Sequence, residues 1–102
     1  MTDRELLEAA AKAAGLRVVS WLQDGYPFVA DENGQHYGWS PLEFDSDALR
    51  LAVKLRLFPV VEDWSDGPWV FVPSNPEHAV PLTQDPYAAT RRAIVRAAAA
   101  LA

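Results

Sequence analysis

Hydrophobic positions along this chain alternate between helical and strand-like spacing. Leu6, Leu7, Ala10, Ala13 and Ala14 recur at the spacing of one helix face, behind a Thr2-x-x-Glu5 capping box and ahead of Gly15, which predicts a first helix over residues 3 to 14. Its alanines form a thin face that lets a partner backbone come close. Three short runs follow, "LRVVSWL", "YPFVA" and "QHYGW", each rich in β-branched or aromatic residues. Asp24-Gly25 and Asn33-Gly34 stand between them. Both dipeptides tolerate positive φ, so the three runs predict an antiparallel meander. Pro27 cannot donate to a ladder, which predicts that the second strand is at an edge or irregular near its start.

In the stretch "WSPLEFDSDALRLAVKL", Pro41 ends the strand after Trp39. Asp45, Ser46 and Asp47 then supply a cap and negative charge for a second helix over residues 46 to 57. Ala48, Leu51, Ala52 and Leu55 make one apolar stripe, and Leu49, Val53 and Leu57 a second. A helix apolar over most of its circumference is expected to pack on more than one side, with Trp39 beneath it and Asp47, Arg50 and Lys54 in water. "FPVVEDW" and "WVFVP" flank "SDGP", a hairpin that would set Trp64 opposite Trp69 through a loop at 65 to 68. Val70 and Val72 face one way, Trp69 and Phe71 the other, as in a strand covered on both faces. "EHAVPL" can add one more strand. Asp85-Pro86 opens a third helix that buries Tyr87, Ile94, Ala97, Ala98 and Leu101. The order is α-βββ-α-ββ(β)-α, an α+β fold with mainly antiparallel sheet and three helices.

Length makes this a single domain over residues 1–102. The absence of cysteine removes disulfides, thiolate metal sites and cysteine nucleophiles. No run is long enough and apolar enough to span a membrane, and the acidic, amphipathic opening lacks the basic start and unbroken apolar run of a secretory signal. The expected location is cytoplasmic. A net charge of −5 disfavours nonspecific nucleic-acid binding unless the basic residues share a face.

Candidate chemistry is thin. "DENGQHYGWSPL" alternates Asp31 and Asn33 like a calcium loop. It places His36 where a glycine is needed and Leu42 where a bidentate acid is needed. His36 and His78 lack a second histidine at metal-ligand spacing. Ser40 lacks the glycine that completes a nucleophile elbow. Glu62 and Asp63 point to opposite faces of a strand and make no acid/base dyad. The expectation is therefore no catalytic residue, no metal and no cofactor. Arg91, Arg92 and Arg96 on the third helix are a candidate basic patch. Four tryptophans are the least ordinary feature, and Trp64 and Trp69, with those arginines, are the candidate interaction surface.

The succession of "YGWSPLEFDSDALRLAVKLRL", a Trp-bearing strand pair and "DPYAATRRAIVRAAAALA" resembles the phage ABA sandwich domain family of small phage and prophage proteins. It is similar in plan to the NinX-like phage proteins. The matching positions are Trp39, Pro41, Asp47, Ala48, Leu51, Trp69, Asp85, Pro86, Ala89, Arg92 and Ala93, and the resemblance covers residues 16 to 101. It implies an α/β/α layered sandwich from a phage or prophage gene, expressed in a bacterial cytoplasm. It implies no activity. The expected function is a non-enzymatic phage accessory protein that binds a host or phage protein. The alternatives are a nucleic-acid-associated factor using the third-helix arginines, an acidic mimic of DNA, or a small enzyme whose site is assembled from scattered residues.

Overall fold

The computed structural model describes residues 1–23, 25–82 and 84–102. It is an α+β fold in the expected order. Helices α1 (Asp3–Ala13), α2 (Asp45–Leu55) and α3 (Pro86–Ala99) are combined with two three-stranded antiparallel sheets. The first sheet is a meander of β1 (Arg17–Trp21), β2 (Pro27–Ala30) and β3 (His36–Gly38). The second is a meander of β4 (Val60–Trp64), β5 (Gly67–Phe71) and β6 (Val80–Pro81), with a 3-10 turn at Pro76–His78.

Helix α3 is the shared wall of the fold. It packs on α1, on α2 and on β5 and β6. Ala10, Ala11, Ala97 and Ala98 are all buried, so small side chains line the α1–α3 region; Ala11 is buried where the spacing placed Ala13, which is only half-buried. Trp39 is buried with Ala48, Leu51 and Ala52, beneath α2. A second, smaller cluster joins Val70 of β5 to Ala89 and Ala93 of α3.

The ends of α1 and α3 follow local sequence. Thr2 Oγ1 accepts from the Glu5 amide, and Glu5 Oε1 accepts from the Thr2 amide. Asp85 Oδ1 accepts from the amides of Tyr87 and Ala88, with Pro86 at the first helical position. The start of α2 differs from expectation. Its N-cap is Phe44, which offers no side-chain acceptor. Asp47 instead accepts from the Ser40 amide at 3.0 Å, fastening the turn before the helix rather than the helix's own first amides. The far end of α2 is closed by Arg56 in the left-handed region, φ 57°, whose amide reaches the carbonyls of Ala52 and Val53.

Three further expectations are corrected. β2 is the central strand of its sheet and not an edge, and Pro27 is tolerated because it is the strand's first residue; the irregularity expected near its start is present as a register shift between Val18 and Ser20, opposite Val29 and Phe28. Asp24 lies outside the described residues; Gly25 beside it takes φ +90°. Helix α2 is packed on one side only: Leu57, just past its end, is buried, but Leu49 and Val53 of the second stripe are 62% and 57% exposed, because α3 is the one helix it packs against substantially among the described residues. On α3, Ile94, Ala97 and Ala98 are buried as expected, whereas Tyr87 in its first turn and Leu101, beyond its end, reach past the core into solvent.

The β4–β5 hairpin is tighter than its composition implies. Trp64 pairs with Gly67, so the loop is Ser65-Asp66, and Trp69 stands opposite Glu62 rather than Trp64. Gly67, at φ +122°, takes a backbone conformation that a side chain at this position would strain. Pro68 lies in the central strand, with its carbonyl turned toward the β6 side, where Leu82 donates to it at 2.9 Å.

Candidate functional site

The two candidate tryptophans come together. Glu62 and Trp64 lie two apart on β4 and so share a face, and Trp69 is opposite Glu62. The indoles therefore meet diagonally across the hairpin, stacked with centroids 5.3 Å apart and planes 23° apart. Phe71 closes the inner end of the row, 6.0 Å from Trp64. Trp69 Nε1 donates to Asp66 Oδ1 at 3.0 Å, which fixes the inner indole. Trp64 remains 41% exposed.

Every residue of β4 is exposed, in contrast to β5, where Val70 and Phe71 are buried. β4 is an edge strand, and β5 is the one element it packs against substantially. The direction of its free polar groups follows from Pro68. Pro68 turns its backbone toward β6, so Gly67, Trp69 and Phe71 turn theirs toward β4, and their partners Trp64, Glu62 and Val60 face β5. That leaves the N–H and C=O of Val61 and Asp63 pointing outward along the open edge.

The three arginines do not form one patch. Arg91 donates from Nε to the Leu42 carbonyl at 2.9 Å and from Nη1 to Asp45 Oδ1 at 2.6 Å, with its side chain largely buried. Arg92 grips Asp3 through both terminal nitrogens. Arg96 lines a hollow of about 310 Å³ with Met1, Leu6 and His78. Two of the three are thus bound within the fold, pinning α3 to the start of α2 and to the start of α1.

A second exposed apolar surface lies between α2 and α3. Leu49, Ala52, Phe58, Tyr87 and Ile94 line a groove of about 520 Å³, with the Arg91–Asp45 pair at its border. Leu49 of the uncovered second stripe thus has a neighbour in the exposed Tyr87.

Among the described residues, no three of His, Asp and Glu converge as a metal site. His36 stacks on Phe28, and His78 Nδ1 meets Asn75 Oδ1 at 3.0 Å. Asp31 Oδ1 accepts from the Asn33 and Gln35 amides, the work of a turn residue. Ser40 is buried, and its hydroxyl has no partner among the described residues. The Tyr37 phenol is pushed up from its ordinary value, first by burial and then by the charges of Asp31 and Asp47.

Glu62 and Asp63, which make no catalytic dyad, belong to the candidate surface. The signal for them was the distribution of charge. From Leu57 to Thr90 there are five acids (Glu62, Asp63, Asp66, Glu77 and Asp85) and no lysine or arginine. The remaining nine acids balance the nine lysines and arginines, so the chain's entire net charge of −5 belongs to the second sheet and its connections. No protein-family model, curated protein or solved structure matches the chain.

Proposed function

We propose that the chain is a non-enzymatic protein-binding module, of the phage accessory kind its sequence resembles, and that the open side of the second sheet is its contact surface. One observation carries this reading: β4 is exposed along its whole length, presents the Trp64–Trp69 stack, and among the described residues has no strand on its outer edge. Such an edge is ordinarily covered or guarded, because its free N–H and C=O groups are a template for another chain. Large aromatic side chains are also the residues that most often anchor protein interfaces. The nucleic-acid reading has less support, since Arg91 and Arg92 already hold carboxylates.

The test is site-specific photocrosslinking in bacterial cells. A photoreactive side chain at Val61 or Trp64 is expected to trap a discrete protein adduct. The same group at exposed Glu8 on α1 is expected to trap none. Adducts at Leu49 and Tyr87 but not at Val61 or Trp64 would move the contact surface to the α2–α3 groove and refute the assignment to β4.

A further inference from the structure

We infer that the partner segment received by β4 is an extended, cationic strand carrying two adjacent Lys or Arg residues flanked by aliphatic ones. This deepens the reading above and rests on it.

The argument begins with the backbone. Val61 and Asp63 present their N–H and C=O groups outward, so an added strand has an unused ladder to complete. Side chains of such a strand alternate between the two faces of the sheet. On one face they meet Val60, Glu62 and Trp64; on the other, Val61 and Asp63. The centre of the edge therefore offers one carboxylate on each face, at consecutive positions, with valines at one end and an indole at the other.

Charge then selects the partner. Neither Glu62 nor Asp63 has an ion-pair partner among the described residues, and no lysine or arginine stands between Leu57 and Thr90; His78, the one histidine there, lies beside Glu77. A second copy of this chain is a poor occupant: antiparallel pairing of two β4 strands about their midpoint would set Glu62 against Glu62, a like-charge pair. A strand with a basic pair at its centre reverses that sign on both faces at once.

The indole adds selectivity for a cation. Trp69 and Phe71 both lie against the Trp64 ring, with ring centres 5.3 and 6.0 Å away, and the residue still keeps 41% of its surface exposed. A guanidinium laid over that ring lies on the same sheet face as the Glu62 carboxylate. The chain uses this chemistry once already, with Arg4 4.3 Å from the ring centre of Trp21. No cation of the chain occupies the corresponding place over Trp64 among the described residues.

The experiment uses the full chain and three acetylated, amidated peptides, TVVRRVT, TVVSSVT and TVVEEVT, with binding read by calorimetry. The expected result is binding of the arginine peptide, at least about tenfold weaker binding of the serine peptide, and none of the glutamate peptide. Glu62→Gln with Asp63→Asn, a near-isosteric change, is expected to abolish the preference for arginine. Val61→Pro removes an outward amide without touching the β5 ladder and is expected to abolish binding of every peptide, with the thermal melt confirming that the variant folds. Equal binding of the serine and arginine peptides would overturn the cationic assignment while leaving β4 as the contact surface. Undiminished binding by Val61→Pro would overturn strand addition. Silence from all three peptides would also overturn the inference, leaving the two acids as guards against self-pairing; the photocrosslinking result judges the broader reading independently.

Discussion

Arg92 on α3 holds Asp3 on α1 with two guanidinium nitrogens, Nη1 to Oδ1 at 2.9 Å and Nη2 to Oδ2 at 3.2 Å, joining residues 89 positions apart. Paired forks of this kind are the strongest form of side-chain ion pair. Here the geometry ties the first helix to the last. Their exposure limits the contribution to about 0.5–1 kcal/mol.

That pair gives stability an acid limb. The Arg92 hydrogen bond holds the Asp3 carboxyl below its ordinary value of 3.8, aided by the charges of Arg92 and Arg96 and opposed by partial burial. The unfolded chain therefore binds this proton more readily than the folded one. The contribution is fully present above pH 3.8 and is lost as pH falls through the lower folded value. Denaturant titrations of the wild type and Asp3→Asn should converge on acidification. A stability gap that is constant across that window would contradict the assignment.

Arg91 is expected to matter more than Arg92. Its side chain is largely buried, and Arg91→Ala leaves the Leu42 carbonyl and Asp45 without their donor. A loss of about 2 kcal/mol is expected in chemical unfolding. Lysine at this position keeps the charge but cannot reach both acceptors with one planar fork, so it should restore less than half.

Arg56 occupies the left-handed region at the end of α2, where a side chain has a steric cost and glycine has none. Arg56→Gly should raise the melting temperature, corresponding to about 0.5–1 kcal/mol. A lower melting temperature would show that the arginine side chain makes a compensating contact.

Ser40 is buried with its hydroxyl unpartnered, while its backbone amide is held by Asp47. Ser40→Ala should therefore be neutral or stabilising by up to about 1 kcal/mol, whereas Asp47→Ala should destabilise by about 1–2 kcal/mol. A serine variant that loses stability would reveal a bond that the hydroxyl makes.

The parts of the fold that were legible in sequence are those whose signals are local. Thr2 with Glu5, and Asp85 with Pro86, satisfy helix amides within four positions, so their spacing alone announces them. Asp47 looked like a third cap, but it serves an amide seven positions back, and only the folded turn brings the two together. The stacking of Trp64 and Trp69 was readable from their shared face, yet their register was not. Gly67 could serve either as the last loop residue or the first strand residue, and its backbone decided for the strand. Burial of Leu49, Val53 and Tyr87 was misjudged because an apolar stripe records what a helix offers, not whether another element arrives to cover it.

The segregation of charge has a kinetic consequence. A protein that is balanced outside one contiguous stretch, and carries all of its excess negative charge within that stretch, has an electric moment as well as a net charge. In the field of a positively charged body it will tend to rotate before it touches. First encounters will then favour one pose, and that bias will fade as added salt shortens the reach of the field.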